Sequence, residues 1–408
     1  MYINKVKIKE AMERQGIKTQ TELANKLGIT KNQLSVMLSE KYNPIKSKVV
    51  ELCELLKITP KDILDCPAND KEPVEVNTDK VTAIELFAGA GGLALGLEKA
   101  GIHTVLLVEI DKFCCQTLKQ NRPAWNVINE DIKKVDFNAY KGKVDIVTGG
   151  SPCQAFSYSG KKLGFEDTRG TLFYEFARCV KEVEPKIFMF ENVRGLISHD
   201  KGRTFETILS VLKELGYNVQ YKVLNANDYG VAQKRERIII VGTQEGINFE
   251  YPEKQKYKPV LRDALKDVPP SEGQTYSEKK KKFLDLVPPG GCWVNLPEDM
   301  QKEYLGKSYY SGGGKRGMAR RISWDEPCLT LTCSPSQKQT ERCHPDETRP
   351  FTVREYARIQ SFPDDWEFAG GISEKYKQIG NAVPVELARH LGVQLVKAIK
   401  EYKNTDAD

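Results

Sequence analysis

The sequence predicts an α/β fold: a doubly wound, mostly parallel sheet with a smaller irregular domain and an N-terminal all-α module. Three observations carry this. From Lys80 to about Glu250, short apolar runs alternate with amphipathic stretches of helical period. Before that block lies a segment with helical spacing only. After it the alternation fails over residues 251–345, which are rich in Pro, Gly, Lys, Tyr and Ser.

Residues 1–66 make up the all-α module. They hold 12 Lys+Arg against 8 Asp+Glu, so +4 of the chain's net charge of +6 sits there. Leu23, Ala24, Leu27, Leu34 and Leu38 fall at helical spacing on either side of Gly28, where the helix breaks. Ile29 is then buried in the turn and Thr30 caps the second helix. The pattern resembles the helix-turn-helix of the phage-repressor (Cro/C1) class. That resemblance implies that the second helix enters the major groove, with Lys31, Asn32, Gln33 and Ser35 facing DNA. A helical hairpin used only for packing would read the same way. Residues 67–79 are polar, contain two prolines and lack periodicity, as a linker does.

In the alternating block, strands are expected at Val81–Phe87, Thr104–Glu109, Val144–Thr148, Lys186–Phe190, Val219–Leu224 and Ile238–Val241. Helices are expected at Leu93–Ala100, Lys112–Asn121, Leu172–Val183 and Thr204–Leu215. Regularity returns near Phe351 and ends in a helix from Val385 to Tyr402.

Composition excludes several classes. With 40% hydrophobic and 29% charged residues, the 408-residue chain suits a soluble protein of two or three domains. No apolar run reaches the ~18 residues that span a bilayer. Residues 1–15 carry positive charge with no apolar stretch behind it, unlike a signal peptide. The expectation is a cytosolic protein without a membrane partner. Ten cysteines are too sparse for a disulfide scaffold and read as reduced thiols. The mild positive charge permits a polyanionic partner without demanding one.

Gly89-Ala-Gly91-Gly92-Leu-Ala94 follows a strand and opens a helix. Gly89, Gly91 and Ala94 match G-x-G-x-x-A, and Glu109 ends the next strand, where a carboxylate can hold two ribose hydroxyls. This element suits a nicotinamide dinucleotide and S-adenosylmethionine equally. Phe87 offers a stacking face. Asp131 offers an acceptor for an adenine amino group, or is a solvated loop carboxylate.

Gly149-Gly-Ser151-Pro152-Cys153-Gln154 directly follows the strand Val144–Thr148. It puts Cys153 on a glycine-rich loop at the carboxyl edge of the sheet, where such folds bind ligands. Most single cysteines are structural, but this one neighbours the proposed cofactor turn.

These motifs together resemble the cytosine-C5 DNA methyltransferase family of bacterial restriction–modification systems, over nearly all of residues 81–395 except 251–345. Phe87-Ala88-Gly89-Ala-Gly91-Gly92 resembles its cofactor turn and Ser151-Pro152-Cys153-Gln154 its nucleophile loop. Thr171-Leu172 resembles a second cofactor contact and Glu191-Asn192-Val193 the acid motif. Gln233-Lys-Arg235-Glu-Arg237 resembles Q-x-R-x-R. Arg349 to Pro363 resembles the motif that supports the recognition domain, and Gly380-Asn381-Ala-Val383-Pro384 the last cofactor motif.

The resemblance implies a Rossmann-like, S-adenosylmethionine-dependent fold with a catalytic domain at 80–250. A target-recognition domain would follow at 251–369, and a segment at 370–408 would return to the catalytic domain. It assigns the cofactor to Phe87, Ala88, Gly89, Gly91, Gly92, Glu109, Ile110, Asp131, Ile132, Pro152, Leu172, Asn381 and Val383. It assigns Cys153 to attack on C6 of a cytosine flipped out of double-stranded DNA, which makes C5 electron-rich enough to take a methyl group. A protonated Glu191, raised by desolvation at the end of a buried strand, would stabilise N3. Arg237 would donate to O2, with Arg235 and Gln233 supporting the loop and the nucleophile. No residue stands out as the base for the C5 proton.

In 251–345, Arg316, Arg320 and Arg321 could read guanines or contact phosphates. Thr330-Leu331 resembles the pair beside the flipped nucleotide's backbone. The run Lys279–Lys282 reads better as a solvated helix face. Cys328 and Cys333 have an acceptable gap for zinc, but the adjacent Cys343 and His344 do not match common ligand spacing, so no metal is expected. Such an enzyme would act as a monomer, beside a cognate endonuclease, and its first 66 residues could bind its own promoter. Three other readings are a regulator with an inert enzyme domain, an RNA cytosine-C5 methyltransferase, and a dehydrogenase that rests on the glycine turn alone.

Overall fold

The computed structural model describes residues 2–3, 5–38, 49–59, 64–65, 80–151, 172–310 and 317–405. The linker expected at 67–79 lies outside the described residues.

The N-terminal module contains α1 (Lys5–Arg14), α2 (Gln20–Lys26), α3 (Lys31–Met37) and α4 (Val49–Leu56). Leu23, Ala24, Leu27, Leu34 and Leu38 are all buried, packed with Ile8, Ala11, Leu52 and Leu56. The cap expected at Thr30 is reciprocal. Its hydroxyl accepts from the Gln33 N–H at 3.2 Å, and Gln33 Oε1 accepts from the Thr30 N–H at 2.8 Å. Tyr2–Ile3 pairs antiparallel with Leu64–Asp65. Helical spacing holds no signal for that short pairing.

The second unit is built on seven strands: β1 (Thr82–Leu86), β2 (His103–Glu109), β3 (Val127–Asn129), β4 (Ile146–Gly149), β5 (Ile187–Val193), β6 (Asn218–Asn225) and β7 (Glu236–Thr243). Their order is β3-β2-β1-β4-β5-β7-β6. β7 runs antiparallel to both neighbours, and the remaining neighbours pair in parallel. The helices between them are α5 (Gly92–Lys99), α6 (Lys112–Asn121), α7 (Leu172–Val183) and α8 (Arg203–Glu214). The expected strands and helices all occur, with ends within three residues of those read from periodicity. The three-residue β3 was not expected.

Alternation along β5 shows how the sheet is covered. Phe188 and Phe190 face one side, against Phe173 and Phe176 of α7 and Ile208 and Leu212 of α8. Ile187 and Met189 face the other, with Leu97 of α5 and with Leu387, Leu391 and Leu395 of the last helix.

Beyond the sheet come α9 (Leu261–Leu265), α10 (Glu278–Leu284), α11 (Glu298–Leu305), α12 (Val353–Ile359), α13 (Ile372–Asn381) and α14 (Val385–Thr405). A third core joins Ala88, Ala90 and Ala94 of the glycine turn to Phe351, Tyr356, Phe362 and Trp366, and to Tyr376 and Ile379 of α13. A fourth is confined to the variable region, around Phe283, Leu284, Leu296, Tyr304 and Cys343. There the buried Glu341 carboxylate accepts from the Tyr304 hydroxyl, pairs with Lys280, and accepts from the Ala319 N–H at 2.5 Å. Lys280 therefore departs from the solvated face expected of the Lys279–Lys282 run, because a buried carboxylate needs a counter-charge.

α14 crosses α5 at very short range. A Cβ at Gly96 would lie 2.4 Å from Ala388 Cβ and 2.5 Å from the Val385 carbonyl oxygen. Three fully buried leucines of α14, each worth ~1.5–3 kcal/mol of burial, depend on this crossing. Gly96→Ala is expected to destabilise the chain by about 1–3 kcal/mol, read as a lowered denaturation midpoint.

Candidate active site

The carboxyl ends of β1, β2, β4 and β5 lie along one edge of the sheet. Because β7 runs the opposite way, its first residues reach that same edge. The register pairs Arg237 with Val193 and Ile239 with Glu191. Glu191 and Arg237, separated in sequence by a helix and a strand, thereby share one face.

After β1 the backbone takes positive φ at Phe87 (58°), Gly89 (53°) and Gly91 (84°). Gly91 is the N-cap of α5 and supplies no side-chain cap, so the helix start is suited to an anionic ligand group. Glu109 braces the turn: its carboxylate accepts from the Gly89 N–H and from the Asp111 N–H, both at 2.7 Å. Lone pairs remain on it for hydroxyl donors. Ile110, next in sequence, leaves an apolar side chain 66% exposed beside that carboxylate. Asp131 is half-buried and accepts from the Lys133 N–H at 3.1 Å. Ile132 packs its side chain into the core, which leaves only its main chain for a ligand. Phe87 and Leu172 are partly buried at the margin of the same core.

Asn381 and Val383 reach this turn from the far end of the chain. A Cβ at Gly92 would stand 2.2 Å from the Val383 carbonyl oxygen, so Gly92 is required by the protein's own packing. The Asn381 side chain is exposed and accepts from the Cys333 thiol at 3.0 Å.

The polar centre lies beside the turn. Arg237 Nε donates to Glu191 Oε1 at 2.8 Å, and both side chains are almost fully enclosed. Arg237 also donates to the Glu236 carbonyl at 2.8 Å. A Cβ at Gly150 would fall 2.6 Å from Glu191 Oε2, so the carboxyl lies directly on the start of the loop that leads to Cys153. Asn192 donates to the Ser151 carbonyl at 3.3 Å. Pro152 and Cys153 come next and lie outside the described residues.

Gln233 and Arg235 are fully buried and act as fasteners. Gln233 donates to Gln360 Oε1 at 2.9 Å and accepts from the Leu331 N–H at 2.9 Å. Arg235 donates to the carbonyls of Leu331 (3.1 Å) and Gly380 (2.9 Å). Burial, reinforced by Arg237, disfavours the Arg235 charge. Both residues were expected to support the loop, and they bind the segments that surround the polar centre.

The expected DNA contacts divide. Lys31, Asn32, Gln33 and Ser35 are exposed on α3, with Gln33 also engaged in the cap. Arg316 lies outside the described residues. Arg321 must be corrected. It is buried and donates to the carbonyls of Leu284, Val287, His344 and Pro345 and to the Thr348 hydroxyl. With its donors spent on the variable domain itself, it cannot read a base. Arg320 is mostly enclosed, against the Gly290 carbonyl and Glu326. Thr330 donates to the Lys234 carbonyl at 2.7 Å. Cys328 and Cys343 are buried in two different cores.

Sequence reasoning passed over Glu85 as a working residue. It is fully buried in β1 and accepts from the Ala94 N–H in the first turn of α5, while its Oε2 has no hydrogen-bond partner. A charged residue inside an apolar strand was the available signal.

With this geometry in view, residues 81–397 match the family model of the C-5 cytosine-specific DNA methylases, and the chain belongs to that family. Residues 7–69 match the Cro/C1-type helix-turn-helix DNA-binding domain. Among individual proteins, the chain is 54% identical over 430 residues to the type II methyltransferase M.Sau96I of Staphylococcus aureus, covering 98% of this chain and 100% of that one. It is 59% identical over 337 residues to M.Eco47II of Escherichia coli, covering 80% and 81%. A solved structure described as a prophage-encoded DNA modification methyltransferase of E. coli shares the fold. Its TM-score is 0.59 at 24% identity, over 78% of this chain and 99% of that one. No helix among the described residues is long and apolar enough to cross a membrane.

Burial pushes the Glu85 carboxyl well above the usual carboxylate range, and Glu109 adds to the shift. The folded chain then keeps a proton that the unfolded chain releases above pH ~4.3, so stability falls as pH rises from there. Glu85→Gln lacks that slope. Its stability relative to the parent chain is expected to grow between about pH 5 and about pH 8 in denaturant melts, and a flat difference would contradict the assignment.

Proposed function

We propose that this chain methylates C5 of a flipped-out cytosine within a specific short site in duplex DNA, as the modification enzyme of a type II restriction–modification system. One observation carries the proposal: the enclosed Glu191–Arg237 pair rests on Gly150 three residues before Cys153, beside the braced glycine turn. The turn fits S-adenosylmethionine, because the uncapped start of α5 suits its carboxylate, Glu109 its ribose and the exposed Ile110 its adenine face. Phe87, Ala88, Gly89, Gly91, Gly92, Asp131, Pro152, Leu172, Asn381 and Val383 complete the cofactor assignment, with Ile132 contributing main chain. When bound, the cofactor supplies an electrophilic methyl group.

The protein's own residues do the rest. The Cys153 thiolate forms a bond to C6 of the cytosine, and ring electrons move toward N3. Glu191 holds a proton at N3, and Arg237 directs its guanidinium both at that carboxyl and at O2. Once C5 carries the methyl group its proton leaves, to water, and the thiolate is expelled. Arg235 and Gln233 keep the Leu331 and Gly380 segments around the base. Arg320 and Thr330 are the remaining DNA contacts in this reading.

Cys153→Ser is expected to abolish labelling of duplex DNA by methyl-tritiated S-adenosylmethionine. It should also abolish the gel-stable complex that the parent chain forms with a duplex carrying 5-fluorocytosine at the target. Full labelling by the variant would refute the covalent step. Bisulfite sequencing of DNA from expressing cells reports the site.

The exposed α3, with its reciprocal N-terminal cap, supports a second role for residues 1–66: binding the operator of the chain's own gene through Lys31, Asn32, Gln33 and Ser35. In mobility-shift titrations the full chain is expected to prefer upstream DNA over random duplex by at least about tenfold. Lys31→Ala and Asn32→Ala should erase that preference while methylation continues. Equal binding to both duplexes would remove this role.

A further inference from the structure

One helix grips the segment that follows β3. Arg178 of α7 is 6% exposed. Its Nη2 donates to the Ile132 carbonyl at 2.7 Å, and its Nη1 to the Val135 carbonyl at 2.9 Å and to both Glu182 oxygens at 3.0 Å. Its Nε donates to Glu175 Oε2 at 2.7 Å. Glu182 Oε2 in turn accepts from the Phe137 N–H at 3.1 Å, and the guanidinium lies 5.2 Å from the centre of the Phe137 ring.

An arginine–glutamate pair on one helix thus fixes three main-chain groups between residues 132 and 137. Stability alone does not call for this device, since a buried ion pair is often matched or bettered by apolar residues of similar volume. What the guanidinium supplies is direction: planar donors at fixed angles, aimed at two specific carbonyls. The first of those carbonyls belongs to the turn whose cap is Asp131. The same helix begins at Leu172, shortly after the stretch that carries Cys153.

We propose that Arg178, backed by Glu182, is a positioning residue for the adenine side of the cofactor site: it sets Asp131 and the Ile132 main chain at the angle that recognises the adenine amino edge. The inference rests on the assignment of Asp131 and Ile132 to the cofactor.

The test compares binding of S-adenosylhomocysteine and S-inosylhomocysteine, which lacks the amino group, by calorimetry on the full chain. The parent chain should prefer the adenine compound. Arg178→Lys keeps the charge and loses the fork. It is expected to weaken S-adenosylhomocysteine binding by about tenfold and to shrink the preference toward one. KM for S-adenosylmethionine should rise by the same factor, with kcat at saturation and KM for DNA little changed. A general loss of folding would lower both affinities together and leave their ratio intact, and that result overturns the proposal. Glu182→Gln, which keeps the shape and halves the pair, should shift the ratio in the same direction. An unchanged ratio in that variant also overturns the proposal. If the parent chain binds neither compound, the cofactor assignment itself fails. If it binds and discriminates while Arg178→Lys does so equally, only the present inference fails.

Discussion

The site depends on a contact between two helices with almost nothing between them. α5 and α14 approach so closely that Gly96 has no room for a methyl group against Ala388 and Val385. One turn earlier in the same helix, a Cβ at Gly92 would likewise meet the Val383 carbonyl. This crossing carries Asn381 and Val383 to the turn formed nearly three hundred residues before them. It also seals one face of the sheet with the leucines of α14. Removing a side chain is a cheap way to obtain such proximity, because dispersion contacts between backbones are dense and no rotamer has to be frozen.

Around that joint the polar groups follow one rule. Three buried arginines are each given an opposite charge or several carbonyls, and each joins segments far apart in sequence. Arg237 meets Glu191 across two strands, Arg235 joins Leu331 to Gly380, and Arg321 gathers four carbonyls of the variable domain. Losing one member of such a set leaves an uncompensated charge and costs several kcal/mol. The catalytic edge is accordingly surrounded by groups that cannot shift independently.

The sheet, its helices and the N-terminal helices were legible because periodicity reports which face of an element is wet. Leu23, Leu34 and the alternating residues of β5 show that signal at work. Strand direction is a different quantity. The apolar pattern of Ile238–Val241 is the same forwards and backwards, so nothing local announced that β7 runs against its neighbours. β3 was too short to show a period. Charge was legible as composition but not as place. Arg320 and Arg321 look alike in the chain, yet Arg321 faces inward to five acceptors, and Lys280 leaves its exposed neighbours to meet Glu341. Gly92 was read as a place for ligand approach, and its tightest neighbour is protein backbone. Glu85 shows the opposite failing: its oddity inside an apolar strand was visible, but its partner at Ala94 lay in the next element.

The late arrival of α14 sets an order of events during synthesis. The N-terminal helices hold a core of their own, and every residue of it has been synthesised before the catalytic sheet begins. One face of the sheet stays uncovered until the final helix emerges and packs against α5. Translation therefore delivers a DNA-binding head first and a finished modifying enzyme last, and a transcript broken near its end would yield the former without the latter.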